Sequence, residues 1–286
     1  MSDVNVYEHE IPNGSKLYFA KSAKLKRKIE QKASEILEDE GFSEIVTPFF
    51  SYHQHLSVDA TNLLRFSDSL NHEISLRADS TVDTVRIVLR RLKANEPRRW
   101  FYIQPVFRYP SQEIYQIGAE LIGENDILKS INIVAKLFSE LEIGACLQLS
   151  NMQIPRIICE ILNLEIEIFE NSWLEKILAQ NVPWLSKLAL LKDASELDEI
   201  INLVPDKLKE ALKNLQSVAK SLEYKNLRIV PLYYSKMRYY DSLFFRFLKD
   251  NAILASGGNY EIDDISSSGF AVYTDALIEE KINLRK

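Results

Sequence analysis

Residues 100–123, Trp-Phe-Tyr-Ile-Gln-Pro-Val-Phe-Arg-Tyr-Pro-Ser-Gln-Glu-Ile-Tyr-Gln-Ile-Gly-Ala-Glu-Leu-Ile-Gly, constrain the fold more than any other stretch. They read as two strands joined by a short polar connection, Tyr109 to Glu113. Side chains alternate across a strand, so residues two apart share a face. Arg108 therefore shares a face with Gln104, and Gln116, Gly118 and Glu120 share a face on the return strand. Phe101, Ile103 and Phe107 point the other way, as do Tyr115, Ile117, Ala119 and Leu121. One side of the hairpin is a wall of core residues. The other carries a cation, amides, a carboxylate and a glycine that admits a close neighbour. Such a face is either solvated or the floor of a site.

Composition narrows the classes. The chain has 286 residues, 46% hydrophobic and 27% charged, enough for a large core in one large domain or two small ones. A net charge of −6 leaves no basic footprint, so nucleic acid is not an expected partner. Cys146 and Cys159 each lie among apolar residues and read as buried free thiols. The start, Met1 to Asn5, has no basic or apolar run of a secretory signal. No stretch approaches the roughly 20 apolar residues that span a bilayer, so the expected location is the cytoplasm, with no membrane partner.

Along the chain, Leu25, Ile29, Ala33, Ile36 and Leu37 form one apolar stripe of a helix from Ser22 to Glu40, stopped by Gly41. Phe42 to Pro48 reads as a short strand, ending or lying at an edge at the proline. Residues 51–70 are polar and irregular; His53 and His55 have no further ligand at metal-binding spacing and read as loop histidines. His72–Arg77 is a strand leading into Asp79 and Ser80, either of which can cap the next helix. Asp79 could alternatively face a ligand amine; spacing alone favours the cap. Ile127–Leu141 is a helix and Cys146–Ser150 a strand. From 153 to 224 the pattern turns helical, with candidates at 155–163, 172–180, 195–203 and 206–222. Strands resume at 227–234, 237–247 and 252–260, and Ser268–Ala271 leads into a terminal helix. This order predicts an α+β architecture, an antiparallel sheet flanked by helices with a mainly helical insertion.

Several segments resemble histidyl-tRNA synthetases and their paralogues, in register. Ile11-Pro12-Asn13-Gly14 and Gly41 to Pro48 resemble that family's opening, and Leu76-Arg77-Ala78-Asp79-Ser80-Thr81 its Leu-Arg-Pro-(Glu/Asp)-x-Thr signature. Phe107-Arg108 with Gln116 to Glu120 is similar to motif 2 of class II synthetases. Tyr239-Tyr240 before Phe245, Gly257-Gly258-Asn259-Tyr260 and Gly269-Phe270-Ala271 resemble later landmarks. The departures fall on cations that hold ATP. Only seven residues separate Arg108 from Gln116, so the motif 2 loop is truncated. Ser235 and Ala276 stand where the family has arginines; beside Ser235, Lys236 or Arg238 could compensate, whereas Ala276 has no such neighbour. Alanine can neither bind phosphate nor stack on adenine.

The resemblance implies a single class II synthetase-like domain over residues 1–286, with a helical insertion at about 153–224 and no anticodon-binding domain after Lys286. That pattern is similar to the regulatory subunits of ATP phosphoribosyltransferase, which support the first step of histidine biosynthesis. It implies no catalysis in this chain, no cofactor and no metal. The implied partner is the short-form catalytic subunit of ATP phosphoribosyltransferase, a glycosyltransferase, with self-dimers inside a hetero-oligomer. Histidine is an implied ligand, in a remnant pocket of Asp79, Thr81, Arg108, Gln116, Glu120, Tyr239 and Tyr240. The alternative is a stand-alone enzyme that activates or ligates an amino acid.

Overall fold

The hairpin sits inside an eight-stranded sheet. The computed structural model describes residues 10–92 and 98–283; the reading of Met1 to Asn5 lies outside the described residues. The strands are β1 (Ser43–Glu44), β2 (Phe50–Ser51), β3 (Arg65–Ser67), β4 (Glu73–Leu76), β5 (Arg99–Arg108), β6 (Gln112–Leu121), β7 (Cys146–Asn151), β8 (Leu227–Ile229), β9 (Tyr240–Lys249), β10 (Ala252–Ile262) and β11 (Ile265–Tyr273). The large sheet has the order β1-β5-β6-β11-β10-β9-β7-β8, and β2-β4-β3 form a small second sheet. The inner strands pair antiparallel, as expected. The two edge strands do not: β1 runs parallel to β5 and β8 parallel to β7. Each reaches its place after a helix-bearing connection, and a parallel neighbour needs such a crossover.

Helix α1 (Ala20–Asp39) buries Ile29, Ala33, Ile36 and Leu37, and Gly41 follows it at φ +82°. With α3 (Ile127–Glu140) and the last helix, it covers the apolar face of the sheet, where Phe101, Ile117, Ala119 and Leu121 join one core. The opposite face is roofed by α2 (Thr81–Arg86), which continues as a π-helical segment, Ile87–Leu92. Val82, Val85 and Val88 pack there with Tyr240, Phe244 and Tyr260 in a second core. The polar face of the hairpin is thus interior.

The 153–224 stretch is helical: α4 (Gln153–Leu162), α5 (Glu167–Glu170), α6 (Leu174–Leu178), α7 (Pro183–Leu190), α8 (Leu197–Leu203) and α9 (Asp206–Lys220). Its leucines join the main core beside β7 and β9. The helix expected at 172–180 shortens to α6, and α5 and α7 lie outside the predicted helices; Pro183 sits at the first turn of α7, where a missing N–H is tolerated. The strand expected over 227–234 pairs only over Leu227–Ile229, because Pro231 has no N–H to continue the ladder. Likewise only Ser43–Glu44 of the 42–48 stretch is a strand, at the sheet edge. The chain's last helix is α10 (Thr274–Asn283). Both cysteines are free and half-buried rather than buried. Among the described residues no helix is long and apolar enough to cross a membrane, and no cluster of three metal-ligating side chains occurs.

Arg77 holds the two sheets together. It is 1% exposed and donates to the carbonyls of Thr47 (2.9 Å), Pro48 (3.1 Å) and Pro105 (2.7 Å), with its guanidinium over the Phe49 ring. Burial pulls its pKa down to about 10, which leaves it charged at neutral pH. The backbone beside it is fixed in turn: the Arg77 N–H donates to the Phe49 carbonyl and the Phe107 N–H to the Arg77 carbonyl. Asp79, two residues on, inherits that position.

Candidate functional site

Register brings the hairpin's polar residues into pairs. Gln104 lies opposite Gln116, Tyr102 opposite Gly118, and Trp100 opposite Glu120. The neighbour that Gly118 admits is Tyr102: a Cβ on Gly118 would lie 2.3 Å from the tyrosine's Cζ and Oη. The ring lies across the glycine so that its hydroxyl reaches Glu120.

Glu120 is the centre of the site. It is fully buried; Oε1 accepts from the Tyr102 hydroxyl (3.1 Å) and Oε2 from the Tyr260 hydroxyl (2.7 Å). On β11, Gly269 stands directly beside it, and a Cβ there would meet Glu120 Oε2 at 2.0 Å. Burial drives the Glu120 pKa up to about 8, against the opposing pull of the hydroxyls of Tyr260, Thr81 and Tyr102. Asp79 lies across from it at the start of α2. Its Oδ1 accepts from the N–H groups of Thr81 (3.1 Å) and Val82 (3.4 Å), so it caps the helix. Its Oδ2 accepts from the Tyr239 hydroxyl (3.2 Å), so it also faces the site. Cap and site-facing carboxylate, alternatives in sequence, are one residue's two oxygens. Burial raises the Asp79 pKa, and the charge of Arg108 opposes that rise. Tyr239 stands 3.5 Å from the Thr81 hydroxyl, which links the two carboxylates.

Four of the predicted residues therefore meet: Asp79, Thr81, Glu120 and Tyr239. The other three stand differently. Arg108 donates to the Ala78 carbonyl (3.2 Å) and lies at the rim, forming no ion pair among the described residues. Gln116 is buried beside Gln104, whose amide is tied to Thr47 and Ser80. Tyr240 does not reach the carboxylates; its ring packs on Tyr239 (4.6 Å) and Phe244 (4.8 Å). Tyr102 and Tyr260 were missed as site residues. Tyr102 was legible, since it lies two residues before Gln104 on the same face. Tyr260 required knowledge of which strand lies two places from β6.

Beyond the rim is a cavity of about 290 Å³, bounded by Arg108, Tyr240, Arg246, Tyr273, the Tyr233–Met237 loop and Glu170 of the insertion. Of the two proposed replacement cations, Lys236 lines this cavity, while Arg238 pairs with Asp59 (3.0 Å) on the outside. Ala276 packs against the main core and Ser235 is buried.

The chemistry of the carboxylate cluster suits a small cationic guest. Two buried carboxylates answer an ammonium or a protonated ring nitrogen, and the tyrosine hydroxyls that now satisfy them are exchangeable donors.

The chain is similar to known proteins along most of its length. The model of the histidyl-tRNA synthetase family matches residues 18–277. An ATP phosphoribosyltransferase regulatory subunit of Wolinella succinogenes is 47% identical over 279 residues, 97% of each chain. The corresponding protein of Helicobacter hepaticus is 39% identical over 277 residues, 96% of this chain and 98% of that one. Among solved structures, a regulatory subunit/histidyl-tRNA synthetase from Bacillus halodurans superposes with a TM-score of 0.84 at 20% identity, covering 96% of this chain and 83% of that chain. A histidine–tRNA ligase subunit from Alicyclobacillus acidocaldarius gives 0.81 at 18% identity, covering 97% and 98%. The class II synthetase-like core expected from the motifs is the fold observed.

Proposed function

This chain belongs to the ATP phosphoribosyltransferase regulatory subunits, a family of histidine biosynthesis built on the histidyl-tRNA synthetase core, and from that premise we propose that it switches a separate, short-form catalytic subunit on and makes it answer to histidine. The observation that carries the proposal is end-to-end similarity, 47% identity over 97% of both chains, to a protein of that name. Cytoplasmic residence follows from that role. The chain itself performs no amino-acid activation in this reading. The turn between Arg108 and Gln112 is only Tyr109–Ser111, too short for a loop that folds over ATP. Ala276 offers core packing where a cation would be needed.

Histidine occupies the carboxylate cluster in this reading, with its ammonium and imidazole on Asp79 and Glu120 and its carboxylate toward Arg108. Entry requires the Tyr239 hydroxyl to leave Asp79. Tyr239 lies just before β9, outside the ladder, where such movement is least opposed. Feedback further requires that histidine bind the inhibited assembly more tightly than the active one. The test is reconstitution. The catalytic subunit should be active only with this chain, and histidine should inhibit the mixture. Equal, histidine-sensitive activity of the catalytic subunit alone would overturn the proposal.

The small sheet supports self-dimerisation. Val46 (81% exposed), Phe50 (58%), Tyr52 (56%) and Phe66 (47%) lie on and around it, and Phe50 and Phe66 meet edge to face. An aromatic surface of this kind is characteristic of a covered face. Phe50→Asp together with Phe66→Asp is expected to convert the dimer to a monomer in sedimentation velocity; an unchanged sedimentation coefficient would assign this surface elsewhere.

A further inference from the structure

The insertion carries an apolar projection that nothing among the described residues covers. After α5 the chain turns into α6, and of residues 171–180 only Ile177 is buried. Leu174 and Leu178, four apart and so on one side of the helix, are 49% and 38% exposed, with Trp173 beside them at 43%. A helix of five residues held to the core by one side chain would ordinarily turn its leucines inward; this one presents them. Trp173 is held in place, with the Lys176 ammonium 3.6 Å from the centre of its ring. A pre-oriented tryptophan on an exposed helix is the kind of side chain that dominates the energetics of protein–protein contacts.

The surround is acidic. Glu160, Glu165, Glu167, Glu170 and Glu175 lie between positions 160 and 178 against one cation, Lys176, which the tryptophan ring already engages. The ion pairs of the insertion lie elsewhere, Lys187–Glu199, Lys209–Asp206 and Lys220–Asp198, and none of the five glutamates joins one among the described residues. Uncompensated carboxylates around exposed apolar side chains select a partner of opposite charge. We propose that α6 is a docking element for a second protein, one that offers an apolar groove rimmed by lysine and arginine and receives Trp173, Leu174 and Leu178. The identity of that protein rests on the regulatory reading above, in which it is the catalytic subunit.

A second copy of this chain fits less well. A two-fold contact would set α6 against α6 and glutamate against glutamate, and a head-to-tail contact propagates without closing unless its rotation happens to form a ring. The aromatic surface suited to self-pairing is a separate one, on the small sheet. The position of α6 also suits a regulatory contact. Asn171, in the turn between α5 and α6, accepts from Lys236 Nζ (3.1 Å). Lys236 lies three residues before Tyr239, whose hydroxyl closes on Asp79. A protein seated on α6 therefore adjoins the loop that covers the carboxylate cluster.

Binding of the catalytic subunit to the immobilised full chain, with sedimentation velocity of the chain alone, tests the docking element. Trp173→Ala and Leu174→Asp should each weaken the complex by about thirtyfold, the loss of an anchor side chain. Glu167→Lys combined with Glu175→Lys should slow association and make it less sensitive to salt. All four side chains are exposed, so the parent's urea midpoint should be kept, and the charge-reversed variant remains informative if an apolar one misfolds. Should the parent chain bind and activate the catalytic subunit while every variant binds as tightly, the docking element is refuted and the regulatory reading stands. A parent chain that neither binds nor activates the catalytic subunit overturns the regulatory reading, and with it the partner named here. Dissociation of the chain's own oligomer by Trp173→Ala would assign α6 to a second copy and likewise overturn the proposal.

Discussion

Gly118→Ala is expected to destabilise the protein by about 3 kcal/mol, the upper range for overpacking a core. The added methyl would lie 2.3 Å from Cζ and Oη and 2.4 Å from Cε2 of Tyr102. Tyr102 cannot swing aside, because it is 1% exposed and its hydroxyl is committed to Glu120. The strand cannot shift either, since β6 is paired on both sides, to β5 and to β11. Urea denaturation measures the cost. The cause is separable by a cycle with Tyr102→Ala, which removes the obstructing ring. In that background the alanine should cost much less, a coupling expected between residues in contact. Equal costs in both backgrounds would mean that the clash is not the reason for glycine at 118.

Glu120→Gln should change how stability depends on pH. A glutamate ordinarily titrates near 4.5, and burial holds Glu120 near 8. Between those values the folded protein keeps a proton that the unfolded chain has lost. Stability is therefore greatest below the unfolded value and falls as pH rises toward 8, by up to about 1.4 kcal/mol per unit. Asp79, also raised by burial, acts in the same direction. Glutamine keeps the shape and cannot ionise. The variant should match the parent near pH 5 and exceed it by several kcal/mol at pH 8, with only the slope due to Asp79 remaining. Parallel stability curves for parent and variant from pH 5 to 8 would refute the assignment. The same carboxyl links pH to binding: a guest that sets an ammonium against Glu120 favours the ionised form, so a guest whose charge does not change over the range should bind more tightly at pH 8 than at pH 6.

The local pattern was largely legible in the sequence. Alternation over 100–123 placed Arg108, Gln104, Gln116 and Glu120 on one face, and the observed pairs Gln104–Gln116 and Tyr102–Gly118 follow from it. Period and stop signals located α1, with Gly41 beyond it, and α3. These features depend on neighbours within a few residues, where backbone sterics and side-chain direction decide. Where pairing energy from distant strands was needed, the reading failed. The edge strands are parallel, and the stretch around Pro231 leaves the ladder.

The character of the site belongs to the tertiary structure. By itself the chain determined which side chains face inward on each strand and which cations of the synthetase pattern are gone. It could not determine that Tyr102 and Tyr260, 158 positions apart in the sequence, close on the same carboxylate from opposite sides. Nor could it determine that Arg246 and Lys236 would share a cavity with Arg108 while Arg238 turned outward to Asp59. The physical reason is the same in each case. Burial and opposing charge set the ionisation of Glu120 and the electrostatics of the cavity, and both depend on which groups meet after folding.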